Sequence, residues 1–331
     1  MPQNHQANRG RRSSRYVVTA VAAAIALFLT QGTASATIPT FASHVEYDTG
    51  GSPVAVKVAD FDEDGHLDQA VNNFADNTVS VLLGNGDGTF DTHVDYAVGS
   101  VPDGLDVADF NEDSHVDLVS VNSDDGTVSV LLGNGDGTFD TKVDYGAGTY
   151  PVKVAVADVD KDTNLDLAVT NVLDSTVSIL LGNGDGTFDT KVDYATGAQP
   201  GRIVTEDFDE DTNTDLAIAN LEDGTASVLL GNGDGTFDAK VDYATDSAPL
   251  SIESADFDGD SAVDLVTANG TGTVSVLPGN GDGTFGGKGD YYVAASAFSV
   301  AVGDFNEDSR PDVTTAIYET DEVSVLLNTT S

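Results

Sequence analysis

Six copies of a nine-residue acidic segment, set 49, 49, 49, 49 and 48 residues apart, constrain this chain more than any other feature. The first runs Asp60-Phe-Asp-Glu-Asp-Gly-His-Leu-Asp68, with acids at positions 1, 3, 5 and 9. Asp109, Asn111, Asp113 and Asp117 make the second copy, and Asp158, Asp160, Asp162 and Asp166 the third. Asp207, Asp209, Asp211 and Asp215 follow, then Asp256, Asp258, Asp260 and Asp264, then Asp304, Asn306, Asp308 and Asp312. Hard divalent cations such as Ca2+ take six to eight oxygen ligands. A tight loop supplies them when alternate side chains turn inward and position 7 adds its carbonyl. Position 7 is His66, His115, Asn164, Asn213, Ala262 and Arg310 in turn. Four acids so close repel one another unless a cation sits among them. A solvated run of surface acids accounts for one such segment, but not for six at near-constant spacing. The expected cofactor is Ca2+, up to six ions.

A period of 49 residues points to one repeat array rather than two ordinary domains. Each repeat reads as four short strands. In the first, Pro53 to Ala59 alternates apolar residues and the acidic loop follows it. Leu67 to Asn73 and Thr78 to Leu83 supply the next two runs. The reversal Gly84-Asn-Gly-Asp-Gly88 has the glycines that positive φ requires, and Thr89 to Tyr96 completes the unit. No helical period is visible. Six four-stranded units of this length predict an all-β, six-bladed β-propeller. The last repeat stops at its third strand, Val323-Ser-Val-Leu-Leu327. Phe41-Ala-Ser-His-Val-Glu-Tyr47 matches the fourth strand Phe90-Asp-Thr-His-Val-Asp-Tyr96. The expectation is a ring closed by pairing residues 41–47 with 323–327, which leaves no bare sheet edge.

These repeats resemble the FG-GAP/VCBS type found in integrin α-subunit heads and in many secreted bacterial proteins. The likeness covers residues 41–328, through the Asp-x-Asp-x-Asp-x-x-x-Asp loop and the Leu-Leu-Gly-Asn-Gly-Asp-Gly-Thr-Phe segment. It implies a calcium-binding β-propeller with the acidic loops on its lower face, and it implies no single activity. Two departures stand out. The Gly-Ala-Pro tripeptide after the loop is absent, which places the likeness with the bacterial repeats. Glycine at loop position 6 survives only as Gly65; Ser114, Thr163, Thr212, Ser261 and Ser309 replace it. A left-handed backbone costs a non-glycine residue roughly 1 kcal/mol or more. Those five loops are expected to bind more weakly or to turn differently.

Residues 1–36 read as a Sec-type signal peptide: Arg9, Arg11, Arg12 and Arg15, an apolar stretch from Tyr16 to Thr30, then Ala34-Ser35-Ala36. The propeller domain spans 37–331, and the mature chain has no membrane span. Removing the leader leaves nine of the 13 basic residues against all 56 acids, a formal charge of −47. Such a surface repels nucleic acid and anionic membranes, and it excludes nucleic acid as a partner. The chain has no cysteine, so metal loops take the cross-linking role that disulfides play in other exported proteins.

Of the few positive charges, Lys142, Lys191, Lys240 and Lys288 lie by the fourth strands, where lysine guards an exposed edge. Lys57, Lys153 and Arg202 fall on first strands near the expected channel mouth, with Asp103, Asp106 and Glu253. They either balance those acids along a wet channel or, with Tyr150, hold an acidic, uronate-type ligand. The Asp of each Gly-Asn-Gly-Asp-Gly segment fits a hairpin turn better than a second cation site. No Gly-x-Ser-x-Gly elbow or His-Glu-x-x-His pair is present. The reading is a secreted, monomeric, calcium-stabilised module that binds an extracellular glycan or a surface protein. The alternative is a polysaccharide-cleaving hydrolase or lyase on the same scaffold.

Overall fold

The computed structural model describes residues 43–293, 296–317 and 322–330, and among these it contains strands but no helix. The expected leader and Phe41 lie outside the described residues. No helix among them is long and apolar enough to cross a membrane.

The first sheet is built from Pro53–Ala59, Asp68–Asn73, Thr78–Leu82 and Val94–Ala97, antiparallel and in chain order. Four more sheets repeat it, opening at Pro102, Pro151, Pro200 and Pro249. Proline suits that place because the first residue of a strand need not donate to the ladder. The sixth sheet has three strands: Ala297–Gly303, Asp312–Ile317 and Glu322–Leu326. The propeller-like array of repeated sheets is therefore present. Closure is not formed among the described residues: no strand of the first sheet pairs with one of the last, and residues 43–47 form no strand.

The fourth strand is shorter than the sequence suggests, Val94–Ala97 instead of Thr89–Tyr96. The turn is the reason. Asn85 N–H donates to Thr89 O and Asp91 N–H to Leu83 O, and Phe90 makes only an isolated bridge to Gly84. The chain then leaves the ladder until Val94 meets Val81.

The second strands are buried on both faces, as in Asp117–Asn122, so they read as nearly continuous apolar runs. In the third strand Thr78-Val-Ser-Val-Leu82, Val79 and Val81 join an apolar core while Ser80 turns the other way. The cores lie between sheets. Val79 and Val81 of the first sheet pack with Leu105, Leu118 and Leu131 of the second, and four further cores join successive sheets in the same way. Each fully buried aliphatic side chain contributes about 1.5–3 kcal/mol.

Behind Ser80 lies a polar network that recurs from sheet to sheet. Asn73 Nδ2 donates to Thr78 Oγ1 and Ser80 Oγ, and Ser80 Oγ donates to Asp95 Oδ1 at 2.6 Å. In the second sheet Asn122 adds an acceptor for the Gly99 N–H at 3.0 Å. The sequence suggests turn chemistry for these asparagines. They do cap the turn, with Asn77 N–H on Asn73 O, but their amides are fully buried and tie three strands together.

Candidate metal centres and ligand cleft

The acidic loop joins the first strand to the second, and its own carboxylates wind it. In the first copy Asp60 Oδ2 accepts from Gly65 N at 3.0 Å, Asp62 Oδ1 from Asp64 N at 3.3 Å, and Asp64 Oδ1 from His66 N at 2.8 Å. Asp68 is buried, and its two oxygens take the Phe61 and Gly84 N–H groups, both at 2.7 Å. The same pair of bonds recurs at Asp117, Asp166, Asp215 and Asp264. Asp312 holds Phe305 N and Asn328 N instead.

Position 6 is left-handed in all six loops, with φ of 87° at Gly65 and 68–79° at Ser114, Thr163, Thr212, Ser261 and Ser309. The five loops without glycine therefore keep the same turn and carry its strain. Position 4 is left-handed too, in Glu63, Glu112, Lys161, Glu210, Gly259 and Glu307. None of those six is β-branched, whereas position 6 holds Thr163 and Thr212 at positive φ.

Carboxylate oxygens converge in four loops. Asp60, Asp62 and Asp68 lie with ligand atoms within 4.8 Å of one another, as do Asp158, Asp160 and Asp166; Asp207, Asp209 and Asp215; and Asp256, Asp258 and Asp260. Burial lifts Asp117, Asp166 and Asp215 to a pKa of about 6, and neighbouring loop carboxylates push the same way. Asp62, Asp160 and Asp209 are raised, again chiefly by burial. Asp60 Oδ1 is buried and has no hydrogen-bond partner. An all-oxygen donor set, crowded negative charge and an orphaned inward oxygen fit a hard divalent cation. These clusters can hold a metal ion.

The remaining two loops differ at position 3. Asn111 Nδ2 donates to Asp113 Oδ2 at 2.9 Å and Asn306 Nδ2 to Asp308 Oδ2 at 3.1 Å, so an amide replaces one anionic ligand. In the last loop Arg310 also pairs with Asp308 and donates to Thr330 O at 2.6 Å. The other position 7 side chains contact their own turn or a neighbouring loop. His66 lies against Gly86, where a Cβ would meet its ring at 2.3 Å, and His115 Nδ1 lies 2.5 Å from Glu63 Oε1 of the preceding loop.

Four of the five glycine-rich turns grip the acidic loop of the sheet before them. Gly137 N–H donates to Phe61 O at 3.0 Å, Gly186 to Phe110 O, Gly235 to Val159 O and Gly283 to Phe208 O. Asp87 spends its carboxylate on Thr89 N and Oγ1, and Asp136 does the same for Thr138, which makes them turn residues.

Two of the candidate ligand residues already hold acids of one strand, Pro102–Ala108. Lys57 Nζ lies 2.6 Å from Asp106 and Lys153 Nζ 2.6 Å from Asp103, each bridging neighbouring sheets. Burial lifts Glu253 above its usual range, and Arg202 pulls it back. Tyr150 instead walls a cleft of about 640 Å³ between the second and third sheets, with Ser123, Asp124, Asp125, Thr149, Leu173, Asp174 and Lys191. Lys57, Lys153 and Arg202 are not in its lining. The side chain of Lys191, on the cleft's rim, is paired with Asp193 at 2.5 Å.

Five overlapping matches to the FG-GAP-like repeat model cover residues 60–120, 109–169, 158–218, 207–267 and 256–315. The chain belongs to the FG-GAP-like repeat family. No curated protein matches its sequence. Solved structures share the fold at low identity. A functionally unknown protein from Desulfotomaculum acetoxidans superposes with a TM-score of 0.61 at 14% identity, over 84% of this chain and 83% of that one. BBS1N in complex with ARL6DN gives 0.59 at 12%, over 83% and 79%. Virginiamycin B lyase from Staphylococcus aureus gives 0.55 at 11%, over 83% of each. Similarity at this level speaks to the fold alone.

Proposed function

We propose that this chain is a secreted, monomeric, calcium-binding six-bladed β-propeller that binds an extracellular glycan in the cleft between its second and third sheets. The leader-like residues 1–36 support export, and the match of residues 41–47 to a fourth strand supports ring closure against 323–327. Ca2+ in the acidic loops holds the scaffold, because the first four loops are each hydrogen-bonded to the turn of the next sheet.

The observation that carries the ligand reading is the cleft at Tyr150. A half-exposed phenol and the exposed Leu173 side chain offer apolar surface to a sugar face, and Asp124 offers a carboxylate acceptor to hydroxyls. Asp125 and Asp174 are anchored by the backbone N–H groups of Ser100 and Thr149, so the walls are fixed beforehand. A neutral glycan suits this acidic lining better than a uronate, since Lys57 and Lys153 already carry carboxylate partners.

A glycan-array screen in the presence of calcium, followed by titration of any hit, tests the reading. Tyr150→Ala should weaken binding at least tenfold and leave the melting temperature unchanged. Equal affinity in the variant, or no hit on the array, would overturn it.

A further inference from the structure

Nine lysine and arginine residues follow the leader-like segment, and eight of them make a side-chain hydrogen bond or ion pair within the protein. Arg202 makes neither among the described residues, although the chain carries 56 acids. It is exposed, on the first strand of the fourth sheet, Pro200–Glu206. First strands do close their charge pairs elsewhere. Lys57 meets Asp106 and Lys153 meets Asp103, each at 2.6 Å across a sheet boundary. A guanidinium has more donors than an ammonium, so a want of donors does not leave Arg202 alone.

The acid that feels Arg202 is Glu253, on the first strand of the fifth sheet, Pro249–Ala255. The two form no ion pair, and Glu253 accepts no hydrogen bond among the described residues. Register sets Val204 and Ala301 at its level on the neighbouring first strands, so neither supplies a partner. Burial accordingly holds its carboxyl above the usual range, and Arg202 pulls only partly the other way. Ser251, two residues earlier on the same face of the strand, buries a hydroxyl oxygen that has no partner. Buried polar groups left open in this way cost stability unless something outside the chain meets them.

The strip around them is polar by sequence. The sixth residue of the first strand is Val58, Val107 and Val156 in the first three sheets, but Thr205 and Ser254 in the fourth and fifth. Glu206 stands where those three sheets have alanine, and its Oε1 takes Ser254 Oγ at 3.5 Å.

We propose that Arg202 and Glu253 bind a small zwitterion of the α-amino acid class, its carboxylate on the guanidinium and its ammonium on the Glu253 carboxylate. Opposite charges on neighbouring strands, each unpaired, make a receptor for a ligand that carries both. The planar fork of arginine matches a carboxylate with two parallel hydrogen bonds. An ammonium group brings Glu253 the donors that Val204 and Ala301 lack. Net charge argues against a simpler ligand. A formal −43 repels a plain anion, so a carboxylate that reaches Arg202 has to bring its own positive charge. None of these residues lines the cleft at Tyr150, and the proposal stands apart from the glycan reading.

Saturation-transfer NMR on the intact chain, with calcium present and each of the twenty standard amino acids as probe, tests it. At least one should bind, and calorimetric titration then gives its affinity. The matching amine without the carboxylate, and the matching acid without the ammonium group, should each bind at least tenfold more weakly. Arg202→Gln should weaken binding at least tenfold and leave the melting temperature unchanged, because Arg202 holds nothing within the protein. Glu253→Gln keeps the shape, removes the charge and should also cost at least tenfold. No transfer to any amino acid, undiminished affinity in either variant, or an analogue with one charge that binds as well as the amino acid would overturn the proposal. The assay involves no glycan, so its outcome is readable whatever the array screen shows.

Discussion

The backbone N–H of Gly137 donates to the carbonyl of Phe61 at 3.0 Å, joining the turn of one sheet to the acidic loop of the sheet before it. Phe61 is flanked by Asp60 and Asp62, two of the expected cation ligands, and its ring packs edge to face on Phe139. Order in the loop and packing between sheets are therefore one property.

Gly137 has a φ of 77°, and a Cβ there would come within 2.8 Å of Leu83 and 3.4 Å of Asp62. Gly137→Ala should lose about 1–2 kcal/mol to the left-handed backbone and more to the contact with Leu83. Cation affinity at the first loop should fall with it. Chemical denaturation with and without calcium reads both effects, and an unchanged midpoint in both conditions would refute the coupling.

Asn122 tests the buried network. Replacing it with Ala strands Gly99 N–H and takes the amide donor from Thr127 and Ser129, though Ser129 keeps its bond to Asp144, and each buried group left unsatisfied costs about 1–3 kcal/mol. Allowing for relaxation, Asn122→Ala should destabilise by about 3 kcal/mol without changing the number of cations bound. A loss under about 1 kcal/mol would mean that water replaces the amide.

The repeat, the strand order and the acidic loops were legible in the sequence because period, turn glycines and acid spacing are local signals. What stayed hidden is non-local. Asn73 looks like a turn residue until the third and fourth strands bring Ser80 and Asp95 to it. Lys57 and Lys153 look like free cations until neighbouring sheets present Asp106 and Asp103. Ser114 and its counterparts suggest a different turn, yet the loop's own carboxylates hold the left-handed backbone in place, as Asp109 Oδ2 does on Ser114 N at 2.8 Å. The cleft at Tyr150 has no sequence signature, because its walls come from two repeats.

The pKa values of the ninth-position acids set a pH dependence. Asp117, Asp166 and Asp215 are raised from 3.8 to about 6. For a raised group, the contribution to stability is present below the unfolded value and is lost as pH rises through the folded one. The metal-free protein should therefore lose stability from these three residues between about pH 4 and 6. A bound cation reverses the sense, because the carboxylates must ionise to ligate it, so affinity should fall as pH drops through about 6. Melting curves from pH 4.5 to 7.5, with chelator and with calcium, should diverge as pH rises. Parallel curves would remove the cation from the account.

The sixth loop should bind its cation last. Ligand charge tunes affinity in oxygen-only sites, and this loop has three carboxylates, with Asn306 in the third position. It is also the one loop with a cation at position 7: Arg310 pairs with Asp308, holding that carboxyl below its usual range, and ties down Thr330 O. An entering divalent ion must share Asp308 with the guanidinium or displace it, and displacement also releases the C-terminal residues. The second loop shares the asparagine but has neutral-capable His115 at position 7, so the two separate the effects of ligand charge and of arginine. Native mass spectrometry across a calcium titration should show five ions bound before the sixth. Arg310→Asn, which restores the residue found in the third and fourth loops, should bring the sixth ion in at lower calcium. Six ions entering with indistinguishable affinity in both proteins would show that Arg310 swings clear and that the loop is an ordinary member of the series.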